Sequence, residues 1–132
     1  MPHKLLLVED EEPLASSLAN LLKEAWGFDV RLAHGGEEAI QILQAERPPI
    51  LLLDLYLEDI SGLKVLREAK ANDPEIIAFV LTGFNDHELK EKSLAHGARD
   101  YFVKPLNHGV LKARLDEAVR EIAGRQGARH GV

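Results

Sequence analysis

An α/β fold on a parallel sheet is what this sequence predicts, and two observations predict it. Short apolar runs of four to six residues alternate with longer amphipathic stretches along the chain. The runs are rich in Leu, Ile, Val or aromatic residues and end at polar or turn residues, as strands buried on both faces require. Strict alternation at these lengths places helices on both faces of the sheet.

The elements follow in order. Leu5–Val8 is the first strand, and Leu14, Leu18, Leu21, Leu22 and Ala25 form a helical stripe that ends near Gly27. Phe28–Ala33 (FDVRLA) alternates apolar and charged residues, which suits an edge strand with one wet face. Ala39, Ile40 and Leu43 make the second helical stripe, closed by Arg47-Pro48-Pro49. Ile50–Leu53 is the third strand; Leu63, Leu66 and Ala69 mark the third helix, closed by Asn72-Asp73-Pro74. Ile76–Leu81 is the fourth strand. The stretch Asn85–His96 offers Leu89 and Leu94 but is otherwise charged or small, so a helix there has a thin core contact and is more mobile. Tyr101–Val103 is the fifth strand, and Leu111, Leu115, Ala118, Val119 and Ile122 define the last helix. With the amphipathic second strand at an edge, the expected order is the flavodoxin-like 2-1-3-4-5 of a doubly wound (βα)5 sheet. Residues 1–123 form one domain, and 124–132 (GRQGARHGV) read as a frayed end or the start of a linker.

Composition narrows the function classes. The chain has 132 residues, a net charge of −6 and no cysteine. That excludes a disulfide framework, a thiol nucleophile and a Cys-based zinc site. The six histidines show no ligand-spaced pair. No apolar run approaches the ~18 residues of a membrane span, and the N-terminus turns acidic too soon for a signal peptide. The expectation is a soluble cytoplasmic protein with no membrane contact. Its acidic balance argues against direct nucleic-acid binding.

Ligands of an open α/β sheet bind beyond the carboxyl ends of its strands. Glu9 and Asp10, then Glu11 and Glu12, follow strand one; Asp54 ends strand three, Thr82-Gly83 strand four and Lys104-Pro105 strand five. Each residue alone has an ordinary reading. Asp10 suits an N-cap, Glu11 and Glu12 suit a helix dipole, Thr82 is a good strand residue and Lys104 a common surface one. Asp54 is the hardest to dismiss, because a carboxylate after ILLL carries a desolvation cost unless paired or metal-bound. What singles these residues out is their coincidence at one end of one sheet. Clustered carboxylates make an oxygen site for Mg²⁺ or Mn²⁺. A carboxylate beside that metal can attack phosphorus and form an acyl phosphate. Lysine and threonine supply donors to the phosphoryl oxygens.

With LLLVEDEEP at 5–13, ILLLDLYLEDISG at 50–62, VLTG at 80–83 and YFVKP at 101–105, the sequence resembles the receiver domains of two-component response regulators, over about residues 3–123. The resemblance implies that Asp54 is the phosphoacceptor and that Glu9 and Asp10 are the acidic pair. Asp10 would be the direct Mg²⁺ ligand, Glu9 would reach the metal through water, and the Tyr56 main-chain carbonyl would add a further ligand. Thr82 and Lys104 would bind the phosphoryl group, the bond before Pro105 would be cis, and Tyr101 would swing inward as Thr82 moves. The implied role is a phosphorylation-activated signalling switch, a phosphoacceptor that assists its own phosphotransfer and dephosphorylation rather than an independent enzyme. The implied donor is a sensor histidine kinase or phosphotransfer protein.

The sequence departs from the family at several points. Glu58 stands where many members have proline, and Glu9 where they often have Asp. Tyr56 and Phe84 occupy the positions that flank the phosphoryl group, so two rings would shield it and lengthen its life. The family's output face is helix four, strand five and helix five. Here it carries Lys90, Glu91, Lys92, Arg99, Asp100, Lys112, Arg114, Asp116 and Glu117, charges that suit either a homodimer or a solvated surface. A stand-alone receiver and the N-terminal piece of a longer protein both fit. Competing readings are weaker. A haloacid dehalogenase-like hydrolase needs Asp at position 56, and a pseudo-receiver would lack part of the acidic, Thr and Lys set. A flavin or nucleotide binder would need a Gly-rich loop where EDEEP stands.

Overall fold

The strand Lys4–Val8 (β1) pairs in parallel with both Asp29–Ala33 (β2) and Ile50–Asp54 (β3). Ile77–Thr82 (β4) lies beyond β3 and Asp100–Val103 (β5) beyond β4, giving the order β2-β1-β3-β4-β5. The computed structural model describes the backbone of residues 3–130 and the side chains of residues 3–125.

The pleat divides the apolar strand residues between two cores. Leu6, Val8, Leu51, Leu53, Ala78 and Val80 face one side, covered by Gly36–Glu46 (α2) through Ala39, Ile42 and Leu43 and by Gly62–Asn72 (α3) through Val65, Leu66 and Ala69. Leu5, Leu7, Ile50, Leu52, Phe79 and Leu81 face the other. There Leu14–Asn20 (α1) contributes Leu18, and His108–His130 (α5) contributes Leu111, Leu115, Ala118 and Ile122. Each fully buried leucine contributes roughly 1.5–3 kcal/mol. As expected for an edge strand, β2 alternates exposure along its length.

The structure corrects several details of the sequence reading. The first helical stripe does not stay α-helical: Leu21–Ala25 is a π-helical turn, closed by Gly27 at φ +75°. α2 buries Ile42 and covers Ile40 only partly; α3 buries Val65 fully and Leu63 only partly. Leu94 of His87–Ala95 (α4) is not a core contact but is 39% exposed. The buried α4 residue is Ser93, whose hydroxyl satisfies itself on the Leu89 carbonyl at 2.8 Å. α5 is drawn as far as His130, and residues 131 and 132 of the 124–132 tail lie outside the described residues. None of the described helices is long and apolar enough to cross a membrane.

Candidate functional site

Backbone pairing continues one residue beyond the strands and fixes what emerges there. The Glu9 N–H donates to the Ala33 carbonyl at 3.0 Å, and the Lys104 N–H to the Thr82 carbonyl at 2.7 Å. Asp54 closes β3, opposite Leu81. Gly62 lets α3 start against this strand end, since a Cβ there would stand 2.4 Å from Leu55 Cα and 2.7 Å from the Asp54 carbonyl oxygen.

The side chains converge. Lys104 Nζ donates to Glu9 Oε1 at 2.5 Å and to Asp54 Oδ2 at 2.9 Å. Glu9 and Thr82 are fully buried and Asp54 nearly so. Asp54 Oδ1 accepts the Tyr56 N–H at 2.9 Å. Asp10, half-buried, is not an N-cap: its Oδ2 accepts the Glu58 N–H at 3.0 Å, and the N-cap position of α1 is Pro13, without a side-chain hydrogen bond. Carboxylate oxygens of Glu9, Asp10 and Asp54 all lie within 4.8 Å of one another. Glu11 and Glu12 stay at the rim, where Glu12 accepts from the Ser16 hydroxyl at 2.8 Å and sits 3.3 Å from His34 Nε2. Beside Lys104, Leu14, Leu18, Leu21 and Leu106 floor a groove of about 970 Å³.

Three carboxylates face one ammonium, and the electrostatics register the surplus. Burial, reinforced by the hydrogen bond with Asp54, pushes the Glu9 carboxyl up to about 7 against the pull of Lys104. Burial alone would lower the Lys104 ammonium, but its hydrogen bonds to Glu9 and Asp54 outweigh that and raise it. A hard divalent cation fits such a site, because every donor is oxygen and the cation would supply the missing positive charge.

Thr82 and Tyr101 enter the site through Phe84. Thr82 Oγ1 accepts the Phe84 N–H at 3.3 Å, and the buried Tyr101 hydroxyl donates to the Phe84 carbonyl at 2.7 Å. The Phe84 ring packs on that of Tyr56 with centroids 4.4 Å apart and planes tilted by 43°. Both rings remain about half exposed. The Lys104-Pro105 peptide bond is cis, as is Glu12-Pro13. Sequence reasoning missed the Glu58 N–H on Asp10 and the neighbouring Asp59, whose carboxylate reaches α2. The signal that could have found Asp59 is the Gly35-Gly36 pair, which admits a close neighbour at the start of that helix.

Comparison with known proteins shows the family. A family model described as the response regulator receiver domain matches residues 5–116. The cell cycle transcriptional regulator CtrA of Caulobacter vibrioides is 36% identical over 124 residues, covering 92% of this chain and 52% of the relative. A response regulator from Burkholderia pseudomallei, solved with a phosphorylated aspartic acid, calcium ion and citrate, superposes with a TM-score of 0.80 at 29% identity, over 97% of this chain and 75% of that one. The BeF3-activated N-terminal receiver domain of RstA from Klebsiella pneumoniae gives 0.82 at 28% identity, over 89% of this chain and 99% of that one. This chain spans between 26% and 52% of the length of the curated relatives it matches.

Proposed function

The chain belongs to the response regulator receiver domain family, whose members act in phosphorylation-dependent signalling, and from that premise we propose that Asp54 is its phosphoacceptor. The observation that carries this reading is the partly buried Lys104 ammonium, shared between Asp54 at 2.9 Å and Glu9 at 2.5 Å at the carboxyl edge of the sheet. An Asp54 carboxylate oxygen attacks the phosphorus of a phosphohistidine, the P–N bond breaks, and the donor imidazole leaves with that electron pair. The nucleophile needs its negative charge, and Lys104 stabilises it without neutralising it. As charge shifts to the phosphoryl oxygens, the Lys104 ammonium can follow it, and the Thr82 hydroxyl can turn its proton toward them.

Asp10 and Asp54 would hold Mg²⁺ directly, with the Tyr56 main-chain carbonyl, and Glu9 through water. The cation supplies charge neutralisation at the phosphoryl oxygens when bound. Thr82 moving toward the phosphoryl group would release the Phe84 N–H it now accepts. Tyr101 is already inward, with its hydroxyl on the Phe84 carbonyl. Movement of residue 84 is therefore passed to α4 and β5. That face would then engage an output domain, a partner protein or a second copy of the chain. The phosphodonor would be a sensor histidine kinase or phosphotransfer protein, and the protein would work in the cytoplasm, with no nucleic-acid contact by this domain.

The test is intact mass after incubation with Mg²⁺ and a small acyl-phosphate donor. The expected result is one added phosphoryl group that requires Mg²⁺ and is absent in Asp54→Asn. Equal labelling of Asp54→Asn would reject Asp54 as the acceptor.

A further inference from the structure

The loop between β3 and α3 carries much of the site's backbone, and two consecutive residues anchor it in opposite directions. Toward the site, the Glu58 N–H donates to Asp10 Oδ2 at 3.0 Å. Away from it, Asp59 Oδ1 accepts the Gly36 N–H at 2.9 Å and Asp59 Oδ2 the Glu37 N–H at 3.0 Å. These are first-turn donors of α2 that have no partner within their own helix. The helix has no local substitute, because its N-cap residue is Gly35. The fit is close: a Cβ on Gly35 would lie 3.0 Å from Asp59 Oδ2, and one on Gly36 only 2.4 Å from Ile60 Cγ1. Hydrogen bonds from the Glu37 and Gly36 N–H groups hold the Asp59 carboxyl below the usual carboxylate range.

Residue 58 is a glutamate and so keeps the backbone N–H that a proline would lack, and that N–H is what reaches Asp10. We propose that Asp59 is a positioning residue for the cation site: by clasping α2 it fixes the loop whose Glu58 N–H orients Asp10. This rests on the reading of Asp10 and Asp54 as cation ligands. Asp59 touches neither the cation nor the phosphoryl group. It acts on the ligands as an outer-shell partner does, by fixing their direction.

The experiment titrates MgCl2 into the wild-type protein, Asp59→Ala, Asp59→Asn and Ser61→Ala, followed by backbone amide NMR. Ser61 caps α3 from the same loop, its Oγ accepting the Leu63 N–H at 3.2 Å, so its loss is the control for a merely structural effect. Asp59→Ala is expected to weaken Mg²⁺ binding about tenfold. Asp59→Asn should fall between, since an amide oxygen can accept only on one side. Ser61→Ala should bind as wild type does. In metal-free protein the Glu58 amide should exchange faster in Asp59→Ala than in wild type. Wild-type affinity together with wild-type Glu58 exchange in Asp59→Ala would overturn the proposal. So would an equal loss in Ser61→Ala, or a loss that vanishes at high salt and so reports only a removed charge. Absence of any Mg²⁺-dependent shift in the wild-type protein would instead reject the cation site, and Glu58 exchange would still decide the role of Asp59.

Discussion

Glu9 is fully buried between a cation it contacts and a carboxylate of its own sign, so its ionisation reports the balance of the site. Its carboxyl sits at about 7 against an ordinary 4.5. Between those values the native state keeps a proton that the unfolded chain has released. The Glu9 contribution to stability of the metal-free protein should therefore be fully present below the ordinary value and be lost as pH rises from there through about 7. Thermal midpoints in a chelator at about pH 5 and about pH 8 would show the slope, and Glu9→Gln should flatten it. An identical slope in the variant would assign it to other groups. Tyr56 and Phe84 support a second residue-scale expectation. Their ring centroids lie 4.4 Å apart and the pair joins the loops after β3 and β4, so the rings can screen an acyl phosphate on Asp54 from attacking water. Tyr56→Asn with Phe84→Glu should shorten the lifetime of the phosphorylated form by about tenfold, or roughly 1.4 kcal/mol of barrier. An unchanged decay rate, measured by intact mass over time, would deny the rings any shielding role.

At the scale of elements, the strands are the most legible part of the sequence. A continuous apolar run such as Ile50, Leu51, Leu52 and Leu53 has both of its faces to bury, and a sheet covered on both sides does so. Helix registers are less legible. Val65 and Ile42 lie outside the stripes read from the sequence, because the stripe that faces a twisted sheet is wider than strict spacing suggests. The π-helical turn at Leu21–Ala25 leaves no mark in composition, being a matter of backbone pairing such as Trp26 N–H to the Leu21 carbonyl at 3.2 Å. The site's charged residues can be read because strand ends are predictable. Asp59 is harder to read, because its partners lie 22 and 23 positions away and the Gly35-Gly36 pair is the one trace of them in the sequence. Gly62 shows how an element boundary governs chemistry. Gly62→Ala would drive its Cβ to 2.4 Å from Leu55 Cα, and backbone cannot yield as a flexible side chain does. The expected cost is about 1–3 kcal/mol, with weakened Mg²⁺ binding because the loop leaving Asp54 is displaced. Wild-type stability and affinity in that variant would show that α3 can shift without disturbing the strand.

Across the whole molecule, stability and responsiveness are unevenly distributed. β1, β3 and β4 are buried along almost their entire length, between two cores that four of the described helices and the π-helical turn close. α4 stands apart. Its fully buried residue is the small Ser93, Leu89 packs only partly against the core, and Leu94 is 39% exposed. Its N-terminus is held by Asp86, whose Oδ1 accepts the Glu88 and Leu89 N–H groups, and that cap lies two residues beyond Phe84. The helix with the least apolar burial is thus the one next to the residue that links Thr82, Tyr101 and Tyr56. An element that must change position on a signal has to come from the low-stability end of the fold, because a few kcal/mol of new contacts at one point cannot move a fully packed helix. Hydrogen exchange should therefore show α4 amides exchanging before those of β1, β3 and β4. Acyl-phosphate treatment with Mg²⁺ should change α4 and β5 more than α2 or α3. Sedimentation of the treated protein would show whether that face then pairs with a second copy. Exchange in α4 as slow as in β3, with no change on phosphorylation, would place the response in another element.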